Sequence, residues 1–306
     1  MGLFLMKRYI NIFFIFILVI LSLNTAVSAG DLSLQAGSIT GDTTYVISGP
    51  ESGGFKSELI FPIEQQVAEI SYKLPLDKYK IAELNFSLLK NIEDESGTFI
   101  DSDWLYSYSS EKAIYSESDS YLDFYKAELK VDFLPFYEFK SGESFLSLSG
   151  GYQKEDFDFD IHDLEQINYL SDRESIVAGQ VLTYQIEYAF PYLAFNWRYP
   201  AGRQGLNYSF SLGFSPFLKA EDRDDHVLRD KLSFIEAQGT ALLAEADLNY
   251  KFNSSFSLFV VWDYLRMEAE GTQVQKNYSG DILFEDIAAQ LSSKQSLLNG
   301  GLSFSF

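Results

Sequence analysis

Asp224 and His226 stand two residues apart in the stretch Asp222-Arg223-Asp224-Asp225-His226, which holds one of the two histidines of the chain. In an extended backbone, residues two apart share a face. The spacing therefore sets a carboxylate beside an imidazole, where it can orient the ring and stabilise its charged form, as a general base near neutral pH requires. The same residues also read as a solvated, charged loop tip that happens to carry a histidine. A second spacing of this kind occurs at Ile100-Asp101-Ser102-Asp103-Trp104. Two carboxylates on one face repel, so one keeps its proton to higher pH and the pair can hold a proton, a water or a cation. Taken alone, such a pair is more commonly just a hydrophilic loop in an acidic chain.

Other chemistries are excluded by composition. The chain has no cysteine, which removes disulfides, thiolate metal sites and cysteine nucleophiles together. Gly-rich phosphate loops, metal-ligand spacings and basic-aromatic patches are absent, so no cofactor, metal or nucleic-acid partner is expected. The formal net charge of −21 disfavours nucleic acid and draws cationic ligands inward, although much of it serves the solubility of exposed segments.

The elements that must hold these residues are strands on an exported chain. Lys7 and Arg8 precede an apolar run from Ile10 to Leu23, and Val27-Ser28-Ala29 offers small residues for cleavage. Residues 1–29 read as a signal peptide, with Met6 an alternative start, and 30–306 as one mature domain. The apolar run is short for a membrane helix, which needs roughly 20 residues. Beyond it, period-2 alternation recurs: Tyr125, Ala127, Leu129, Val131 and Phe133 are interleaved with polar residues, as are Leu206, Tyr208, Phe210, Leu212 and Phe214. With 20 Tyr, 27 Phe and few Pro, yet a mean hydropathy of −0.07, the chain has the mixture that two-faced strands average to. Apolar rows end in aromatics, as at Tyr250-Phe252 and Phe304-Phe306, while Lys, Glu and Asp occupy the other face at strand centres.

The pattern predicts an all-β fold, a ten-stranded antiparallel transmembrane β-barrel with short periplasmic turns and long extracellular loops. Tight turns are expected at Leu74 to Tyr79, Phe136 to Gly142, Pro200 to Gly205 and Asn253-Ser254. Long connections are expected at Gly49 to Gly54, Asn91 to Asp119, His162 to Ser175, Ala220 to Lys231 and Glu270 to Ile287, which leaves His162 in a loop. Both carboxylate motifs then lie in long connections at one end of the barrel.

With the motifs in place, the chain resembles the omptin family of outer-membrane proteases. The family's Asp, any residue, Asp, Trp pattern is matched by Asp101-Ser102-Asp103-Trp104, and its Asp, acidic, His pattern by Asp224-Asp225-His226. The family's acidic residue two positions earlier is matched by Asp222. Flanking similarity includes Gly41, Gly54 with Lys56, Gly151-Tyr152-Gln153, Pro191-Tyr192 and Gly301-Leu302. The resemblance implies an endopeptidase at the extracellular face of a bacterial outer membrane, cutting near basic residues without metal, cofactor or Ser/Cys nucleophile. It implies that His226, polarised by Asp224, activates a water that Asp101 and Asp103 hold from across the mouth, with Asp222 receiving a basic side chain.

Two positions depart from the pattern. Tyr45 stands where the family has a second acidic residue for that basic side chain, so Glu117 or Asp42 would have to compensate. Asp156 stands where the lipopolysaccharide site has a basic residue, so an anionic lipid would be repelled there. The expected partners are peptide or protein substrates and outer-membrane lipid, and the barrel reads as a monomer. A barrel without catalysis, acting as adhesin or receptor through acidic loops, is the alternative from another functional class.

Overall fold

The computed structural model describes residues 30–306 apart from 50–53, 77–81, 109, 134–136, 139–143, 202–204 and 228. The expected signal peptide lies outside these residues, as do parts of the turns expected at Leu74 to Tyr79, Phe136 to Gly142 and Pro200 to Gly205. The extended segments are β1 (Asp31–Ser48), β2 (Phe55–Pro75), β3 (Ala82–Asn91), β4 (Glu95–Leu105), β5 (Lys112–Phe133), β6 (Tyr137–Glu138), β7 (Phe145–Asn168), β8 (Arg173–Ala201), β9 (Leu206–His226), β10 (Lys231–Lys251), β11 (Phe256–Lys276) and β12 (Ile282–Ser305). All pairings are antiparallel. β1 pairs with β12 from Asp31↔Ser305 to Ser48↔Ala288, and this pairing joins the two ends of the sheet.

β3 and β4 are successive pieces of one stave. β2 pairs with β3 through Val67–Pro75 and with β4 through Phe55–Ile60, and β5 covers both pieces from the other side. Asn91 patches the break: its Nδ2 donates to Leu122 O at 2.6 Å and its Oδ1 accepts from Phe124 N at 2.9 Å. Since β6 is only two residues long, the 12-stranded sheet makes a closed ring of ten staves. Closure matters physically, because it leaves no stave with an unpaired edge in hydrocarbon.

The outer face carries an apolar belt. Leu148, Phe195, Trp197, Leu212, Phe214, Leu258 and Trp262 are among its exposed side chains. Charged side chains then take over the outer face, beginning with the Lys154–Glu187 and Lys219–Glu221 pairs and continuing with Asp158, Asp160 and Arg223. A strand needs only about 9–11 residues to cross the hydrocarbon. Staves of 18 to 29 residues therefore run well past the belt.

This corrects the expectation of long loops. The segments read from sequence as connections are largely strand: β4 and the start of β5 lie within Asn91 to Asp119, β9 continues to His226, and β12 begins at Ile282. His162 lies in β7, between Asp119 and Gln180, with its ring edge-on to Tyr121 at 5.5 Å. Beyond the belt the outer face is polar, so alternation loses its hydropathy contrast although the ladder persists.

Inside, an aromatic layer fills the barrel below one mouth. Phe61 stacks on Tyr184 at 4.2 Å between centroids and meets Phe99 at 4.7 Å and Phe159 at 5.0 Å, while Phe124 stacks on Phe157 at 4.5 Å. On its far side lies a polar chamber of about 480 Å³ lined by Lys126, Lys130, Glu69, Glu245 and Asp263 among others. Opposite charges fill it in place of an apolar core, with Lys130 at 3.6 Å from Glu245.

Candidate active site

The aromatic layer forms the floor beneath a cleft of about 780 Å³ at the charged mouth, lined by Asp101, Asp103, Asp224 and His226 together. Two backbone irregularities aim these side chains inward. On β9, Tyr208, Phe210, Leu212 and Phe214 face outward, yet Ala220, Asp222 and Asp224, of the same parity, are buried inside. Parity flips because β9 carries an extra residue: Ser215 pairs with Ala241 and Leu218 with Gly239, so Pro216 and Phe217 together oppose Thr240. Pro216 has no N–H to lose from the ladder, and Ser215 Oγ accepts the Phe217 N–H at 3.1 Å. On β4, Gly97 at φ +107° occupies a bulge between Ser96 and Thr98, after which Phe99, Asp101 and Asp103 point to the lumen. A side chain at Gly97 would strain that backbone.

His226 Nε2 lies 2.8 Å from Asp224 Oδ2. Asp224 is 1 % exposed and His226 19 % exposed, so the carboxylate is fixed and the ring reaches solvent. On the facing wall, the Asp101 carboxyl is pushed up to about 7. Burial is the main cause and the charge of Asp103 adds to it; Arg229 and Lys231 oppose it, and Asp224 raises it further. The two walls are therefore within electrostatic reach of each other. Asp101 Oδ1 and Asp224 Oδ1 are buried without a hydrogen bond.

Asp222 is placed differently. It is 6 % exposed and lies beneath the cleft lining, facing the Tyr184 hydroxyl, and neither of its oxygens has a hydrogen bond of good geometry. Burial, then the charge of Asp224, raises its carboxyl well above the usual range. Tyr45 does line the cleft, stacked on Tyr184 at 6.0 Å with its hydroxyl bonded to Gln273. Glu117 is not brought to the site. Its neighbours Ser116 and Ser118 face inward, so Glu117 stands exposed on the outer wall, where the Tyr115 hydroxyl donates to it. Asp156 is also outward, accepting from Tyr125 at 3.1 Å just beyond the belt.

Three further residues, none of them marked by a motif, stand at the cleft or brace its hairpin. Lys231 is the ladder partner of His226, a relation that follows from hairpin register and could have been counted from the turn. Arg229 lines the same cleft. Tyr278, in the β11–β12 turn, grips the His226 hairpin: its hydroxyl donates to Asp225 Oδ1 at 2.7 Å and its N–H to Asp230 Oδ1 at 2.9 Å.

The sequence model of the Omptin family matches residues 25–306. The structure is similar to that of the outer membrane protease OmpT from Escherichia coli, with a TM-score of 0.80 and 15% identity over 92% of this chain and 98% of that one. The translocator domain of the autotransporter NalP from Neisseria meningitidis gives a TM-score of 0.38 at 8% identity, covering 93% of this chain and 91% of that one. OprG of Pseudomonas aeruginosa gives 0.39 at 8% identity, covering 92% and 97%. No curated protein matches the sequence. At 15% identity the OmpT likeness speaks for the fold; the family match rests on the sequence itself.

Proposed function

The chain belongs to the Omptin family, and from that premise we propose that it is an outer-membrane endopeptidase whose nucleophile is a water activated by His226. The observation that carries this reading is the 2.8 Å contact between Asp224 Oδ2 and His226 Nε2 on one wall of a cleft that Asp101 and Asp103 also line. With Nε2–H donating to Asp224, the lone pair on Nδ1 is free to take a proton from water. The water oxygen attacks the peptide carbonyl carbon as that proton moves to Nδ1, and the C=O pair moves onto oxygen. Collapse expels the amine, which takes the proton back from the imidazolium. Asp101, with a carboxyl near 7, still holds a proton over part of the neutral range and can donate to the developing oxyanion. Asp103 then accepts from the attacking water.

The acidic cleft lining suits a substrate with a basic side chain near the scissile bond, and a long basic side chain that passes Tyr45 would meet Asp222 beneath that lining. Tyr45 narrows that approach, so a single basic residue fits better than a basic pair. The mouth bearing the cleft faces the extracellular side.

The test is cleavage of Arg- and Lys-containing peptides by refolded protein. His226→Ala should abolish cutting while the barrel keeps its heat-modifiable migration in detergent gels. A folded wild type that cuts none of them, or a variant that cuts as well as wild type, would sink the proposal. Peptide binding that survives His226→Ala and Asp101→Ala without any cutting would favour a silent receptor barrel.

A further inference from the structure

We propose that Arg229 and Lys231 form an anion subsite at the lip of the cleft, holding a carboxylate of the substrate beside the bond to be cut. This rests on the cleft being the peptide site.

The first observation is a pair of cations set in an acidic cleft. The chain has 44 acidic against 23 basic residues, and the cleft is lined by Asp101, Asp103, Asp224, Glu285 and Asp286. Arg229 and Lys231 line the cleft with Asp101, Asp103 and Asp224 yet make no ion pair among the described residues. Lys231 is half-buried and faces the charges of Asp224, Asp101 and Asp103 without an ion pair at contact distance, so part of its desolvation cost is left for a docking anion to offset. The second observation is position. Lys231 is directly opposite His226 in the β9–β10 ladder, and facing residues have Cβ atoms about 4.5–5.5 Å apart. Allowing about 3.3 Å per extended residue, a substrate carboxylate that meets Lys231 belongs within about three residues of the scissile bond.

The third observation is that charge is ordered around the mouth. The β4 and β12 walls line the cleft with Asp101, Asp103, Glu285 and Asp286, whereas on the β9–β10 hairpin Arg229 and Lys231 accompany Asp224. A peptide with a basic residue on one side and a carboxylate on the other is matched in one direction only. Its carboxylate comes either from an internal Asp or Glu or from a free C-terminus.

Matched quenched-fluorescence peptides separate these sources. Each carries one Arg; Glu or Gln is scanned through three positions on either side of it, and the end is a free acid or an amide. Wild type should favour one Glu position, or the free acid, by about tenfold in kcat/KM and chiefly through KM, as a hydrogen-bonded charge pair provides. In the Arg229→Gln/Lys231→Gln variant that ratio should fall to about one. Lys231→Gln alone, checked for heat-modifiable migration, serves if the double variant does not fold. No carboxylate preference in wild type, or an unchanged ratio in the variants, would overturn the subsite. Binding of the same peptides to His226→Ala is read by fluorescence anisotropy. A Glu or free-acid preference there, with no cleavage by wild type, would remove the protease reading and leave the subsite standing.

Discussion

At the scale of single residues, the site combines a fixed carboxylate, a half-open imidazole and a carboxyl that holds its proton unusually long. Asp101 moves from 3.8 in a free chain to about 7 in the barrel. The folded state therefore binds that proton more readily than the unfolded one, and stability falls as pH rises through the window between the two values. Below the unfolded value the contribution is fully present; above about 7 it is lost. Unfolding midpoints in denaturant should drop between pH 5 and pH 8 in wild type, and Asp101→Asn should flatten that drop. If both proteins respond to pH alike, Asp101 is not the buried proton holder described here. Asp224→Asn should leave the ring in place and lower kcat by about two to four powers of ten, as loss of general-base catalysis does; a change in KM alone would contradict its role.

At the scale of elements, hairpin geometry decides what the site residues can reach. The two-residue spacings at Asp101/Asp103 and Asp224/His226 are readable from sequence because a strand has no choice but to put such residues on one face. Which face is another matter. Continuing the outward row of Phe210, Leu212 and Phe214 would have sent Asp224 and His226 outside. The bulge at Pro216–Phe217 reverses them, and a bulge leaves little trace in a hydropathy pattern. The same weakness hid the strands beyond the belt and put His162 and Glu117 in loops. The Tyr278 hydroxyl, tied to Asp225 one residue before His226, steadies this hairpin from the β11–β12 turn. Tyr278→Phe removes that one bond and should lower kcat by about two- to tenfold with little change in KM. Equal losses in kcat and in global stability, with KM raised, would mean that the contact only holds the barrel together.

At the scale of the whole molecule, ring closure carries two motifs far apart in sequence to opposite sides of one mouth, and the aromatic layer beneath them separates the cleft from the charged chamber. The apolar belt fixes how far the mouth stands from the bilayer. Trp197 and Trp262 lie on the outer belt at 49% and 39% exposure, whereas Trp104 lines the cleft with Lys56 4.6 Å above its ring. In single-tryptophan variants, lipids brominated on their acyl chains should quench Trp197 and Trp262 and spare Trp104; equal quenching of all three would misplace the belt. The closed ring itself was legible in the alternating rows and their aromatic ends, because a bilayer imposes that pattern on every stave. Cross-barrel contacts are not, since nothing local in β4 specifies what β9 will present. The central claim, that both walls act on one water, is tested most directly by a cycle of kcat values for Asp101→Asn, Asp224→Asn and the double variant. Groups acting as a unit predict that the double variant loses about as much as the worse single one. Losses that multiply would show two independent sites and contradict the shared water.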